Sequence, residues 1–308
     1  MVSPEAKRRV VQDLVSRGAC SERRACRLLG LSRTSSRYKR RHRADDAALR
    51  KRMRTLAAKH KRYGCRRIAV LVLRQGWRVN KKRIHRLWKE EGLQRARKTK
   101  VKRAQGPSLG LPMQAGRPNH VWSYDFIEDR TERGGRLRML VVIDEFTREC
   151  LHVRIERSIG AAKVIATLEW LFLLHGRPQY IRSDNGPEFI ASALRLWLEK
   201  QGPSTLYITP GSPWENAYIE SFNDKFRDEC LNMHVFINGR DAQTLVEDWR
   251  KEYNDFRPHS SLNYMTPAEF ALHWRNSVRP TAHLRCANAE TQTQDHNSEQ
   301  NPLTLAGT

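Results

Sequence analysis

The sequence predicts an α/β domain built on a mixed sheet and preceded by small all-α segments. Three observations carry that prediction. The first third of the chain keeps a helical period and is densely basic. From residue 119 the apolar pattern changes to strand alternation, in three successive β-rich runs. Helix and strand patterns then alternate, the order expected of an α/β domain with a mixed sheet.

The chain has 308 residues, with 57 Lys+Arg against 33 Asp+Glu and a net charge of +24. Residues 1–117 hold 36 of the cations and 7 of the acids, so the rest is nearly balanced. A block this basic repels itself unless something anionic joins it. Nucleic acid fits, because each neutralised phosphate releases counterions. A membrane surface is the rival, but no stretch is long and apolar enough to span one. "MVSPEAKRR" leads into a mixed helix rather than a signal peptide. The six cysteines form no CxxC pair and sit beside no histidine at zinc-finger spacing, so they read as reduced thiols of a cytosolic protein.

Residues 4–16 are expected to form a helix, with Pro4 in its first turn and Val10, Val11, Leu14 and Val15 on one face. Ser21 caps a second helix that Gly30 ends, and Ser32 caps a third bearing Arg33, Arg37 and Lys39. This outline fits a helix-turn-helix over residues 1–43; it also fits a plain hairpin with a solvated basic face. Residues 44–93 give three more helices. Their inward residues are Leu49, Met53, Leu56 and Ala57, then Ile68, Leu71 and Val72, then Ile84, Leu87 and Trp88, with breaks at Gly76 and Gly92. "RYGCRR" contributes Arg66 and Arg67, and the Asn80-capped helix shows Lys81, Lys82, Arg83 and Arg86 on its other face. Residues 94–118 read as a basic, Gly- and Pro-containing linker.

In residues 119–278 the strands are expected in "HVWSYDFIED", in "RLRMLVVIDEF" after an "RGG" turn, and in "ECLHVRIER". A helix over 160–175, a strand over 180–183, a helix over 190–201, the strand "TLYIT" and a long helix from near Trp214 follow. The tail over 279–308 is polar and aperiodic, the pattern of a disordered segment.

Carboxylates stand out against this background. Asp125 lies inside the first strand between Tyr124 and Phe126, where a buried aspartate costs several kcal/mol, on the order of 2–7, unless paired or metal-bound. Asp184 ends the fourth strand, where α/β sheets bind ligands, and Asn-Gly-Pro after it predicts a rigid turn. In the next helix Asn216, Glu220, Asn223 and Arg227 share a polar face, while Ile219, Phe222 and Phe226 point elsewhere. Three acids drawn together repel, and a divalent cation removes the conflict. All-oxygen ligation from so few side chains suits magnesium, and two such ions can clamp an in-line phosphoryl displacement.

Asp125 in "SYDF", Asp184 in "SDNGPEF" and Glu220 in "NAYIESFN" resemble the catalytic triad of the DDE transposase/integrase superfamily. The 35 residues between Asp184 and Glu220 match its D,D(35)E spacing. More narrowly, "HKRYGCRRI", "GWRVNKKRIHRLWKEEGL", "TREC", "RDECLN" and "YNDFRPHSSLNYMTPAEF" resemble the second-frame product, OrfB, of bacterial insertion sequences.

The resemblance implies an RNase H-like integrase core after helical DNA-binding segments. It implies Asp125, Asp184 and Glu220 as ligands of two Mg²⁺ or Mn²⁺ ions once DNA is bound. The implied reaction cuts one strand at the element's end, and the released 3′-OH then attacks a second phosphodiester. Arg227 matches a basic position expected to contact DNA. Asn185, Asn216, Asn223, Arg33, Arg37, Arg66, Arg67, Lys81, Lys82, Arg83 and Arg86 complete the candidate DNA contacts.

The implied partners are the terminal inverted repeats, target DNA, a second copy on DNA, and an upstream OrfA product supplied separately or by frameshift fusion, in a cytoplasmic, nucleoid-associated protein. Three features depart from the family pattern. Asp224 stands where many relatives have glycine, no leucine-zipper heptads are visible, and the histidine/cysteine zinc module of the retroviral relatives is missing. A nuclease that cuts without joining and a non-catalytic repressor of the element are the rival readings.

Overall fold

The computed structural model describes residues 3–38, 43–94, 113–183, 192–207 and 216–278. Asp184, Asn185, most of the expected linker and the expected disordered tail lie outside the described residues.

Helices α1 (Pro4–Ser16), α2 (Glu22–Leu28) and α3 (Arg33–Ser36) start at Ser3, Ser21 and Ser32, whose hydroxyls accept from backbone N–H groups of the first turns. Val11, Ala25 and Cys26 are buried between them. Two expectations are corrected here. Val10 and Val15 are exposed, because the short α2 and α3 cover only a narrow stripe of α1. The third helix is one turn long; Arg37 ends it and turns back to Glu22, with 2.6 Å between Nη2 and Oε2.

Helices α4 (Asp46–Lys59), α5 (Cys65–Arg74) and α6 (Lys81–Glu90) bury Leu49, Met53, Leu56, Ile68, Leu71, Val72, Ile84, Leu87 and Trp88 in a core of their own. Asn80 Oδ1 caps α6 by accepting from Lys82 N–H at 2.8 Å. Gly76 and Gly92 take positive φ, a conformation that ends α5 and α6 at little steric cost to glycine.

The five strands are β1 (Val121–Arg130), β2 (Arg136–Asp144), β3 (Cys150–Glu156), β4 (Tyr180–Ser183) and β5 (Ser204–Tyr207), in the order β3-β2-β1-β4-β5. The β1–β2 and β2–β3 pairs are antiparallel; β1–β4 and β4–β5 are parallel. This is the mixed sheet expected of an RNase H-like core. Both faces are covered, so β2 reads as a nearly continuous apolar run. Leu140 and Val142 pack under α7 (Ala161–His175) and α8 (Ser192–Gln201). Met139, Val141 and Ile143 pack under α9 (Ala217–Glu229) and α10 (Gly239–Asp255). Helix α11 (Pro267–Val278) closes the described chain. Described α9 begins at Ala217, so Asn216 is its capping position rather than a residue within it.

Candidate active site

The two-residue period of β1 decides which way Asp125 faces. Trp122 and Tyr124 enter the cluster under α7, whereas Ile127 enters the cluster under α9. Asp125 shares the Ile127 face, so its half-buried carboxyl is turned to α9. There Asn223 Nδ2 donates to Asp125 Oδ2 at 2.7 Å, and the Phe126 N–H donates to Oδ1 at 2.7 Å. Ile219, Phe222 and Phe226 anchor α9 on the sheet. Their burial leaves Glu220 exposed one turn before Asn223 on the polar face. Arg227 and Asp224 are exposed further along the helix. Asn216 and Asn223 each keep a buried Oδ1 without a hydrogen-bond partner among the described residues.

Strand β4 reaches the same region. Its register pairs Ser123 with Arg182, and it ends at Ser183, whose buried hydroxyl also has no partner among the described residues. Asp184 is the next residue in sequence and lies outside the described residues, as does Asn185.

Behind these strands lies a charged pair that sequence reasoning passed over. Arg182 Nη1 donates to both Glu145 oxygens at 3.0 and 3.1 Å, and its Nη2 donates to the Met113 carbonyl at 2.8 Å. The Ser123 hydroxyl donates to Glu145, whose backbone N–H donates to the Val121 carbonyl at 3.0 Å. Glu145 is fully buried and the Arg182 side chain 4% exposed. Burial pushes the Glu145 carboxyl up, while the Ser123 hydroxyl and the Arg182 charge pull it down. The pair thus ties β1, β4 and the turn after β2 together, two residues before Asp125 on one strand and two before Asp184 on the other. The available signal was an arginine inside the otherwise apolar start of "YIRSD".

At the far end of α9, Glu229 accepts from Arg257 at 2.6 and 2.7 Å and from Arg67 Nη1 at 2.8 Å. The α4–α6 unit therefore docks on the helix that carries Glu220. His60 Nδ1 lies 3.0 Å from Glu252 Oε1, and Arg74 Nη2 donates to Glu269 at 2.6 Å, extending the contact.

These pairs divide the basic candidates. Arg67 is engaged by Glu229, Arg37 by Glu22, and Arg83 by Asp45 and Asp46. Arg86 lies 3.7 Å from Asp46 and 3.6 Å from Glu90. Each of these four cations has an acid of its own chain within reach, although Arg37 keeps most of its side chain exposed. Arg33, Arg66, Lys81, Lys82 and Arg227 are exposed and make no ion pair among the described residues.

Two family models described as an integrase core domain match residues 115–213 and 201–267, and one described as an HTH-like domain matches residues 43–101. An uncharacterised 39.2 kDa protein of insertion element IS476 from Xanthomonas euvesicatoria is 40% identical over 274 residues, spanning 89% of this chain and 79% of its own. An uncharacterised 31.7 kDa protein of insertion element IS407 from Burkholderia multivorans is 43% identical over 257 residues, spanning 83% and 92%.

The chain belongs to the insertion-element transposases of the DDE transposase/integrase superfamily.

The transposase InsD of an IS2 element in Escherichia coli is a more distant member of this group, 25% identical over 231 residues and spanning 68% and 73%. In this chain the integrase-core matches run through the sheet and α9 to the start of α11, and the HTH-like match takes in α4, α5 and α6. No helix among the described residues is long and apolar enough to cross a membrane.

Proposed function

We propose that the chain cuts DNA at the ends of its element and joins the released 3′-OH to a target phosphodiester, with Asp125, Asp184 and Glu220 as the catalytic acids. The observation that carries this reading is the Asn223–Asp125 hydrogen bond, which ties α9, one turn after Glu220, to the middle of β1.

Among the described residues no three His, Cys, Asp or Glu side chains are grouped to hold a metal. Two of the proposed ligands are described and the third, Asp184, follows the described end of β4. The donor set fits a hard cation. It consists of carboxylate oxygens, with the unpartnered Oδ1 atoms of Asn216 and Asn223 nearby and no thiolate or imidazole. Asp125, Asp184 and Glu220 would hold Mg²⁺ or Mn²⁺, two ions when DNA is bound. Ions bound there supply Lewis-acid activation of the attacking oxygen and charge neutralisation at the phosphate.

The chain's own residues do the rest. Asn223 and the Phe126 N–H fix the Asp125 carboxylate, and the Glu145–Arg182 pair holds β1 against β4. Arg227, Arg33, Arg66, Lys81 and Lys82 supply exposed positive charge for the DNA backbone, and Asn185 and Asn216 flank the acids in sequence. Two copies on DNA would hold the two element ends together.

The test uses Asp184→Asn in the full chain with a labelled element-end duplex. Loss of cleavage and joining with end binding retained supports the reading. Cleavage equal to wild type overturns it, and cleavage without joined product in the wild type favours a nuclease.

A further inference from the structure

We infer that a cleft between α5, α6 and the turn at Tyr264 holds an unpaired nucleotide of the DNA substrate. The inference rests on the proposed action on DNA for the class of ligand, and adds which part of the ligand is held and by what.

The cleft has a volume of about 380 Å³ and is rimmed by Arg66, Lys81, Lys82 and His85, with Val70 among its apolar lining and Tyr264 contributing from the core. That volume lies within the range of small-ligand sites, roughly 300–1,000 Å³. Arg66, Lys81 and Lys82 make no ion pair among the described residues, although Arg67, Arg74 and Arg83 on the same two helices are all paired. Cations that no described acid pairs, converging on one cleft, suit a bound anion.

Tyr264 supplies the aromatic wall of the cleft. It and Asn263 have φ of 65° and 52°, in the left-handed region that a bulky residue rarely adopts. The turn is held from both sides. The Tyr264 N–H donates to the His259 carbonyl at 2.7 Å, and the Tyr264 carbonyl accepts from Arg74 at 3.1 Å. So constrained, it sets the half-buried ring 5.7 Å from Lys81 Nζ, at the edge of the cleft. Such backbone conformations persist where the surroundings over-determine them, commonly at ligand clamps.

An aromatic face beside phosphate-binding cations suits a nucleotide whose base is available to stack. A base inside a duplex already stacks on its neighbours, so the bound nucleotide is unpaired. The cleft draws on both the helical unit and the core, so a strand held there bridges the two.

The experiment compares binding of the full chain to a fluorescent blunt duplex and to the same duplex with a three-nucleotide single-stranded overhang, by anisotropy. Wild type is expected to prefer the overhang by about fivefold or more. Tyr264→Phe should keep that preference, while Tyr264→Ala and the double variant Lys81→Gln/Lys82→Gln should lose it. Equal binding of both duplexes by wild type, or an unchanged preference in the folded Tyr264→Ala chain, overturns the inference. Should Tyr264→Ala not fold, the double variant decides by the same criterion. Metal-dependent joining, measured alongside, separates the two readings. Joining without an overhang preference overturns the cleft alone, and an overhang preference without joining overturns the proposed reaction alone.

Discussion

Asn223 Nδ2 lies 2.7 Å from Asp125 Oδ2, across the interface between α9 and β1. An amide here donates to the carboxylate without adding charge. Replacing it by a carboxylate, Asn223→Asp, sets two negative groups against each other and favours protonation of one. On the proposed reaction, with Asp125 as a metal ligand, the Mg²⁺ concentration for half-maximal joining should rise, or the joining rate fall, by about 10- to 100-fold, the usual cost of losing a group that orients such a ligand. A magnesium titration of joining checks this, and Asn223→Ser should be milder.

Arg182 and Glu145 form a buried pair, and removing one partner strands the other. Arg182→Met is expected to cost roughly 3–5 kcal/mol because Glu145 loses its cation inside the core. Adding Glu145→Gln to that variant should recover much of the loss, since the isolated charge is gone. Urea denaturation of the two variants measures the difference.

Acid should loosen the docking of α4–α6 on the core. Burial pushes the Glu229 carboxyl up, but the Arg257 hydrogen bond and the charges of Arg257 and Arg67 outweigh it and hold it below the ordinary 4.5. Glu252 is likewise held low, first by its hydrogen bond to His60. A lowered folded value means the contribution is present above pH 4.5 and is lost as pH falls from there through the folded values. Glu229→Gln should be less stable than wild type at pH 7, with the gap narrowing below pH 4.5. Urea midpoints across that range test the sign.

The sorting of the basic residues predicts two kinds of variant. Arg66→Gln and Lys82→Gln should each lower the salt dependence of DNA binding by about 0.9 in log–log slope and leave Tm unchanged. Arg83→Gln should lower Tm, because Asp45 and Asp46 lose their partner, while the slope hardly moves. Anisotropy over a salt series and thermal melts distinguish the two outcomes.

Much of the fold was legible locally. Ser21, Ser32 and Asn80 start helices because a short polar side chain can accept from the first turn's N–H groups. The alternation through Tyr124, Asp125 and Phe126 placed an acid in a strand. The spacing of Ile219, Phe222 and Phe226 correctly left Glu220 on the other face of α9. The length of α3 and the exposure of Val10 and Val15 were not legible, because they depend on how much surface neighbouring helices offer.

Asn223 shows the same boundary at the site. Its face was readable, but the hydrogen bond by which it holds Asp125 was not. The ion pairs of Arg37, Arg67 and Arg83 were equally hidden, since their acids lie 15, 162 and 38 residues away in the chain.

The amino-acid order alone determined the helices and strands, the basic first third and the identity of the candidate acids, because periodicity, capping and charge are properties of neighbouring residues. Only the tertiary structure decided which cations pair with acids of the chain, which carboxylates are clamped, and which helix face meets β1. Those outcomes depend on distances between residues remote in sequence, and only the packed sheet and helices set such distances.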